Sequence, residues 1–136
     1  MAAVLLRAKA VLMALCLSLA LVLSACSSSA GPITGNYVDD TVAVAQSLMI
    51  TIALPQDDPS RREAEVEARS LINSYTARYR PQSRLNGLSS FTTMQTAMNS
   101  LAAHYAAYAN RPLPDALKAR LDKELKKAEA SALRGA

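Results

Sequence analysis

The sequence predicts an all-α fold, an up-down-up-down antiparallel four-helix bundle, on three observations. Four stretches of roughly 17 to 22 residues carry apolar side chains at helical steps of three and four. Proline and glycine fall at the edges of those stretches or between them. The links are short, which makes each helix run antiparallel to the one before it. At 136 residues the chain has room for one domain. One His, two Cys, four Gly and no Trp leave no material for a zinc cluster, a disulfide framework or a Gly-rich phosphate loop.

The hydrophobic fraction of 51% is inflated by the first 25 residues, which have the layout of a secretory signal. Arg7 and Lys9 form the positive start, and Ala10 to Val22 form an apolar run of 13 residues. A bilayer span needs roughly 20, so a cleaved signal fits better than an anchor helix. Leu23-Ser24-Ala25-Cys26 follows and resembles the lipobox of bacterial lipoproteins, in which the Cys thiol takes a diacylglycerol and becomes the new N-terminus. The expected organisation is a removed signal peptide over 1–25, a lipidated N-terminus and flexible tether over 26–36, and the bundle over 37–136. Ser27 to Gly35 is small and polar, as a tether requires. Loss of Arg7 and Lys9 brings the formal net charge from +4 to about +2, and no basic run interleaved with aromatics occurs, so nucleic-acid binding is not expected. Cys16 leaves with the signal.

The first helix is expected from about Tyr37 to Ala53, with Val38, Val42, Ala45, Met49 and Ile52 on its inner face. Pro55 and Pro59 close it. Asp58 is placed to cap the second helix with Pro59 at its first position, and Glu63, Glu65 and Glu67 lie toward the positive end of the dipole. Ala64, Ala68, Leu71, Tyr75 and Tyr79 mark its inner face, and Pro81 stops it near Arg80. The third helix has the most regular seam, Phe91, Met94, Met98, Leu101, Tyr105 and Tyr108, with Ser89 or Ser90 as its cap. Asn110-Arg111-Pro112-Leu113-Pro114 turns the chain into the fourth helix, where Leu117, Leu121, Leu125, Ala128 and Ala132 face inward. Lys118, Arg120, Lys123, Lys126 and Lys127 face outward.

Several strings carry a family resemblance. They are Thr34-Gly35-Asn36-Tyr37 with Asp40-Thr41, and Ala53-Leu54-Pro55 with Asp57-Asp58-Pro59. The stretch Phe91 to Leu101 (FTTMQTAMNSL) and the turn Asn110 to Pro114 with Lys118 to Leu121 complete the set. Together with the lipobox they resemble the cyanobacterial photosystem II assembly and repair lipoproteins of the thylakoid lumen. The resemblance implies a monomeric, non-catalytic bundle without cofactor or metal, held by lipid at Cys26 on the lumenal face of the thylakoid membrane. Its implied partner is the photosystem II core intermediate, through the lumenal loop of the inner-antenna chlorophyll protein. It further implies help with manganese-cluster maturation and a block on premature docking of extrinsic subunits. The alternative is a generic envelope lipoprotein bundle that binds another exported protein.

Two features bear on where a partner sits. From Leu85 to Asn110 there is no Asp, Glu, Lys or Arg, yet Thr92, Thr93, Gln95, Thr96, Asn99 and Ser100 keep the stretch polar. A face of Thr, Gln and Asn is desolvated at lower cost than a charged one, so Thr92, Gln95, Thr96 and Asn99 are candidate contacts; full burial of this helix would explain the missing charges equally. Arg78, Arg80 and Arg84 form a cationic helix end suited to acidic loops, or simply to the helix dipole. His104 and the methionines raise the possibility of a haem bundle, but there is no Cys-x-x-Cys-His signal and no second His; a hydrogen-bonded core-margin histidine is expected. The pairs Asp39-Asp40 and Asp57-Asp58 sit at helix starts, where capping accounts for them without catalysis.

Overall fold

The computed structural model describes residues 33–136. The signal peptide, Cys26 and most of the tether lie outside the described residues. Among the described residues four helices make up the fold: α1 Tyr37–Ala53, α2 Arg61–Tyr79, α3 Ser89–Ala107 and α4 Asp115–Leu133, with a 3-10 turn at Ser83–Leu85 in the second connection. α1 packs on α2 and α4, and α3 packs on α4 and, more thinly, on α2. Helices adjacent in sequence are therefore adjacent in space, and α4 closes the ring against α1. None of the described helices is long and apolar enough to cross a membrane.

One hydrophobic cluster fills the bundle. Val44, Ala45, Leu48 and Ile52 come from α1, and Ala68, Ile72, Tyr75 and Tyr79 from α2. Phe91, Met94, Ala97, Met98, Leu101 and Tyr105 come from α3, and Leu121, Leu125 and Ala128 from α4. Each fully buried Leu, Met or Phe contributes about 1.5–3 kcal/mol relative to exposure, so this cluster is the main source of stability. The methionines Met94 and Met98 are buried filler among it.

The inner face of α1 is turned from the expected one. Val38, Val42 and Met49 are only half-buried, while Asp40, Thr41, Val44, Leu48 and Thr51 join Ala45 and Ile52 inside. Counting apolar residues alone misses this phase because two polar groups, Asp40 and Thr41, are drawn inward by tyrosines of α2. Thr41 Oγ1 lies 2.7 Å from the Tyr75 hydroxyl and 2.6 Å from the Tyr37 carbonyl. In the other three helices the expected seams are observed at their centres. Ala64 and Leu117 are half-buried at the helix starts, and Tyr108 is 49% exposed where α3 ends.

Capping also differs from expectation at two starts. α2 begins at Arg61, later than Pro59, and the Asp58 carboxylate accepts from the Ser60 N–H and hydroxyl at 2.8 and 2.6 Å, an Asx turn ahead of the helix. Neither Ser89 nor Ser90 caps α3. Leu88 occupies the cap position, and buried Ser90 bonds the Tyr37 hydroxyl at 2.8 Å and donates its N–H to the Ala136 carbonyl at 3.1 Å. α1 is capped by Asn36, whose side chain accepts from the Val38 and Asp39 N–H groups.

Candidate functional site

At the end of the bundle where the chain runs in from the tether, a polar network surrounds Asp40. Its carboxylate accepts from the Thr34 N–H at 2.7 Å, the Thr34 hydroxyl at 2.8 Å, the Gly35 N–H at 2.9 Å and the Tyr79 hydroxyl. Burial raises the Asp40 carboxyl, but the bonds from Thr34, Tyr79 and Gly35 outweigh it and hold the group below its ordinary value. Burial and the facing carboxylate push the Tyr79 hydroxyl above its ordinary value. Asp40 is therefore not a cap but a hub that fastens residues 34–35 to α1 and α2. Gly35 has φ of 96°, and a Cβ there would stand 2.9 Å from Nη2 of Arg78.

The cationic set lies at this same end. Arg78, Arg80 and Arg84 are all exposed. Arg78 lies against Gly35, and Arg84 Nη2 donates to Gln82 Oε1 at 2.7 Å, while Gln82 donates to the Arg78 carbonyl. Arg78 thus borders Gly35 at the end where the described chain begins, Arg84 is linked to it through Gln82, and Arg80 stands exposed on the turn between them. Arg111 lies on the opposite turn, its guanidinium 5.7 Å from the centroid of the Tyr108 ring.

The charge-free helix α3 is not wholly buried. Thr92, Thr96 and Asn99 are exposed and Gln95 is half-buried. Thr92, Thr96 and Ser100 return their hydroxyls to the carbonyls one turn back, at 2.9 to 3.0 Å. Those three hydroxyls are satisfied within the helix, on an outer face without charge that also carries the side-chain amides of Gln95 and Asn99. Such a face is desolvated at lower cost than a charged one, provided a partner meets the two amides.

The far end of the bundle is different in character. His104 is buried, with Nε2 3.3 Å from the Arg111 carbonyl, a core-margin histidine as expected. Beside it Arg69 crosses from α2, donating from Nη2 to the Tyr105 carbonyl at 2.9 Å and standing 5.3 Å over the Tyr105 ring. Tyr105 is 3% exposed, its hydroxyl has no partner, and burial followed by the charge of Glu65 pushes that hydroxyl up to about 12. Sequence reasoning missed this corner. The signal was present as Arg62, Val66, Arg69 and Asn73 at steps of four, three and four along α2.

These features define a class: an all-α four-helix bundle whose distinctive surfaces are an uncharged helix face and exposed arginines at its ends. Among the described residues no cluster of three or more His, Cys, Asp or Glu is placed to hold a metal. Comparison with known proteins then fixes the family. The family model described as Photosystem II Pbs27 matches residues 2–131, and the chain belongs to that family, which is not a family of enzymes. It is 50% identical over 120 residues to "Photosystem II assembly factor lipoprotein Psb27" of Thermosynechococcus vestitus, covering 88% of this chain and 90% of the relative. It is 51% identical over 124 residues to "Photosystem II lipoprotein Psb27" of Synechocystis, covering 91% and 92%. The solution structure of Psb27 from cyanobacterial photosystem II superposes with a TM-score of 0.76 at 49% identity, over 81% of this chain and 96% of that one.

Proposed function

We propose that the protein is a non-catalytic assembly and repair factor that binds the lumenal side of incomplete photosystem II. The observation that carries this reading is the near-complete, 50% identical match to a protein named as a photosystem II assembly factor lipoprotein. In this reading Cys26 carries the lipid that holds the protein, as a monomer, to the lumenal face of the thylakoid membrane. The partner surface is the lumenal loop of the inner-antenna chlorophyll protein, in intermediates whose manganese cluster is not yet assembled. Occupancy assists maturation of that cluster and disfavours early docking of extrinsic subunits.

The physical basis is placement, without bond chemistry. Thr92, Gln95, Thr96 and Asn99 supply the desolvatable face on α3, and Arg78, Arg80 and Arg84 supply charge to meet acidic loops. The test is an affinity capture with a C-terminally tagged chain from detergent-solubilised thylakoids, with subunits identified by mass spectrometry and manganese counted. Core complex lacking manganese and extrinsic subunits is the expected recovery. Mature oxygen-evolving complex, or no photosystem subunit, would overturn the reading.

A further inference from the structure

The fold gathers arginines at one end of the bundle from parts of the chain far apart in sequence. Arg78 lies in the last turn of α2, Arg80 and Arg84 in the connection to α3, and Arg134 directly after α4. All four are exposed, and none enters a salt bridge among the described residues. The anions at this end are fewer. Asp40 is buried and taken up by Thr34, Gly35 and Tyr79, which leaves Asp39 and the terminal carboxylate of Ala136. The opposite end has the reverse balance: Asp57, Asp58, Glu63, Glu65 and Asp115 outnumber Arg61, Arg62, Arg111 and Lys118. Its clefts, of about 180 and 330 Å³, are lined by both signs, with Arg61 paired to Glu65.

Where the chain enters matters as much as the charge. Ile33 packs against the core and the Asp40 carboxylate holds Thr34 and Gly35, so the chain is fixed to the bundle from its first described residues, at the arginine end. Seven peptide steps separate Ile33 from Cys26, and fully extended they span at most about 25 Å. Three of the helices have 19 residues, a length of about 29 Å. A lipid at Cys26 therefore keeps the arginine end within reach of the headgroup layer, whereas the far end is free to stand a helix length further out. An anionic surface selects between those orientations, because it draws the arginines in and repels the acidic end over a Debye length of about 8 Å. Leu133, 65% exposed next to Arg134, adds an apolar side chain to the same end, and an interfacial layer accommodates apolar and guanidinium groups together.

We infer that, in the chain held by its lipid alone, this end lies against the membrane, with Arg78, Arg80, Arg84 and Arg134 on anionic headgroups and Leu133 at the acyl boundary. The occupant is a lipid surface because the chain enters the bundle at this end and an exposed leucine stands at the same end as the cations. The inference rests on the lipid at Cys26 in the proposed function. It makes the arginines a device for orientation: the bundle stands on the membrane with the sides of its helices, the α3 face included, open to a partner. On docking, the arginines exchange headgroup oxygens for the carboxylates of acidic loops.

Quenching by a headgroup-labelled lipid tests it. The mature acylated chain, whose Cys26 thiol is taken by the lipid, receives a fluorophore through Asn86→Cys at the arginine end or Asn110→Cys at the far end, both exposed positions, and is reconstituted into vesicles. On phosphatidylglycerol vesicles, quenching at the first position is expected to exceed that at the second about fourfold. The ratio is expected to fall to about twofold or less on phosphatidylcholine vesicles, and equally in the Arg80→Glu, Arg84→Glu double variant, which should melt as the wild type does. Equal quenching at the two positions, or a ratio that neither lipid charge nor the double variant changes, would overturn the inference. The thylakoid capture separates this outcome from the proposed function. No photosystem subunit with the quenching ratio intact overturns the photosystem reading alone, and core intermediates with equal quenching overturn the membrane-facing end alone. A mature chain whose mass shows no acyl group at Cys26 overturns the lipid and the orientation together.

Discussion

The two ends of the bundle are built from the same residue types, tyrosine, arginine and small hydroxyls, yet they are finished in opposite ways. At the tether end every polar group of the Asp40 network has a partner: Asp40 holds Thr34, Gly35 and Tyr79, Thr41 holds Tyr75, and Ser90 holds Tyr37. At the far end Tyr105 and Arg69 each keep a buried group without one. A saturated network specifies one arrangement and resists change, whereas an unsaturated one carries the cost of its unmet groups. The first end is suited to fixing residues 34–35 onto the bundle, and the second carries the cost of two buried groups without partners.

The largest effect should come from Asp40→Ala, which strips the shared acceptor from Thr34, Gly35 and Tyr79 at once. A loss of about 3–4 kcal/mol in urea denaturation is expected, and a loss below about 1 kcal/mol would mean the hub holds little. Asp40 also sets a pH dependence. Because its folded pKa lies below the ordinary 3.8, its contribution is present above that value and is lost as pH falls through the folded pKa. Asp40→Asn should therefore flatten the acid limb of the stability curve below about pH 4 relative to wild type.

Gly35→Ala should cost about 1–2 kcal/mol, since φ of 96° is unfavourable for any residue with a Cβ; the nearby Arg78 guanidinium is the end of a flexible chain and can move aside. Tyr79→Phe, which removes one donor to the hub but leaves three, should cost about 1 kcal/mol by the same measurement. The smallest effect sharpens the comparison most. Tyr105→Phe deletes a hydroxyl that holds nothing, and thermal unfolding should change by less than about 0.5 kcal/mol in either direction. If Tyr105→Phe proved as costly as Tyr79→Phe, the contrast between the ends would collapse.

Much of the architecture was legible because helices are written in local spacing. The seam of α3 from Phe91 to Tyr105 and that of α4 from Leu121 to Ala132 follow directly from steps of three and four, and the prolines bracket the turns. The phase of α1 was not legible, because hydropathy ranks Val38 and Val42 above Asp40 and Thr41. Only the presence of Tyr75 and Tyr79 on the neighbouring helix reverses that order. The α3 stripe and the Arg78 patch could be named from composition, and the structure leaves Thr92, Thr96, Asn99 and all three arginines on the surface. The clefts at the far end could not be found that way, since their walls come from the two turns, α2 and α3 together.

By itself the sequence determined the helix count, their antiparallel order, most of the core and the family, since each rests on patterns that repeat within a few residues or on short strings. Tertiary structure alone decided which polar groups are met and which are not. Tyr79 finds Asp40 across 39 positions and Tyr37 finds Ser90 across 53, while the Tyr105 hydroxyl finds nothing. A hydrogen bond is satisfied or missed by tenths of an ångström between elements far apart in the chain, and no spacing rule along one helix carries that information.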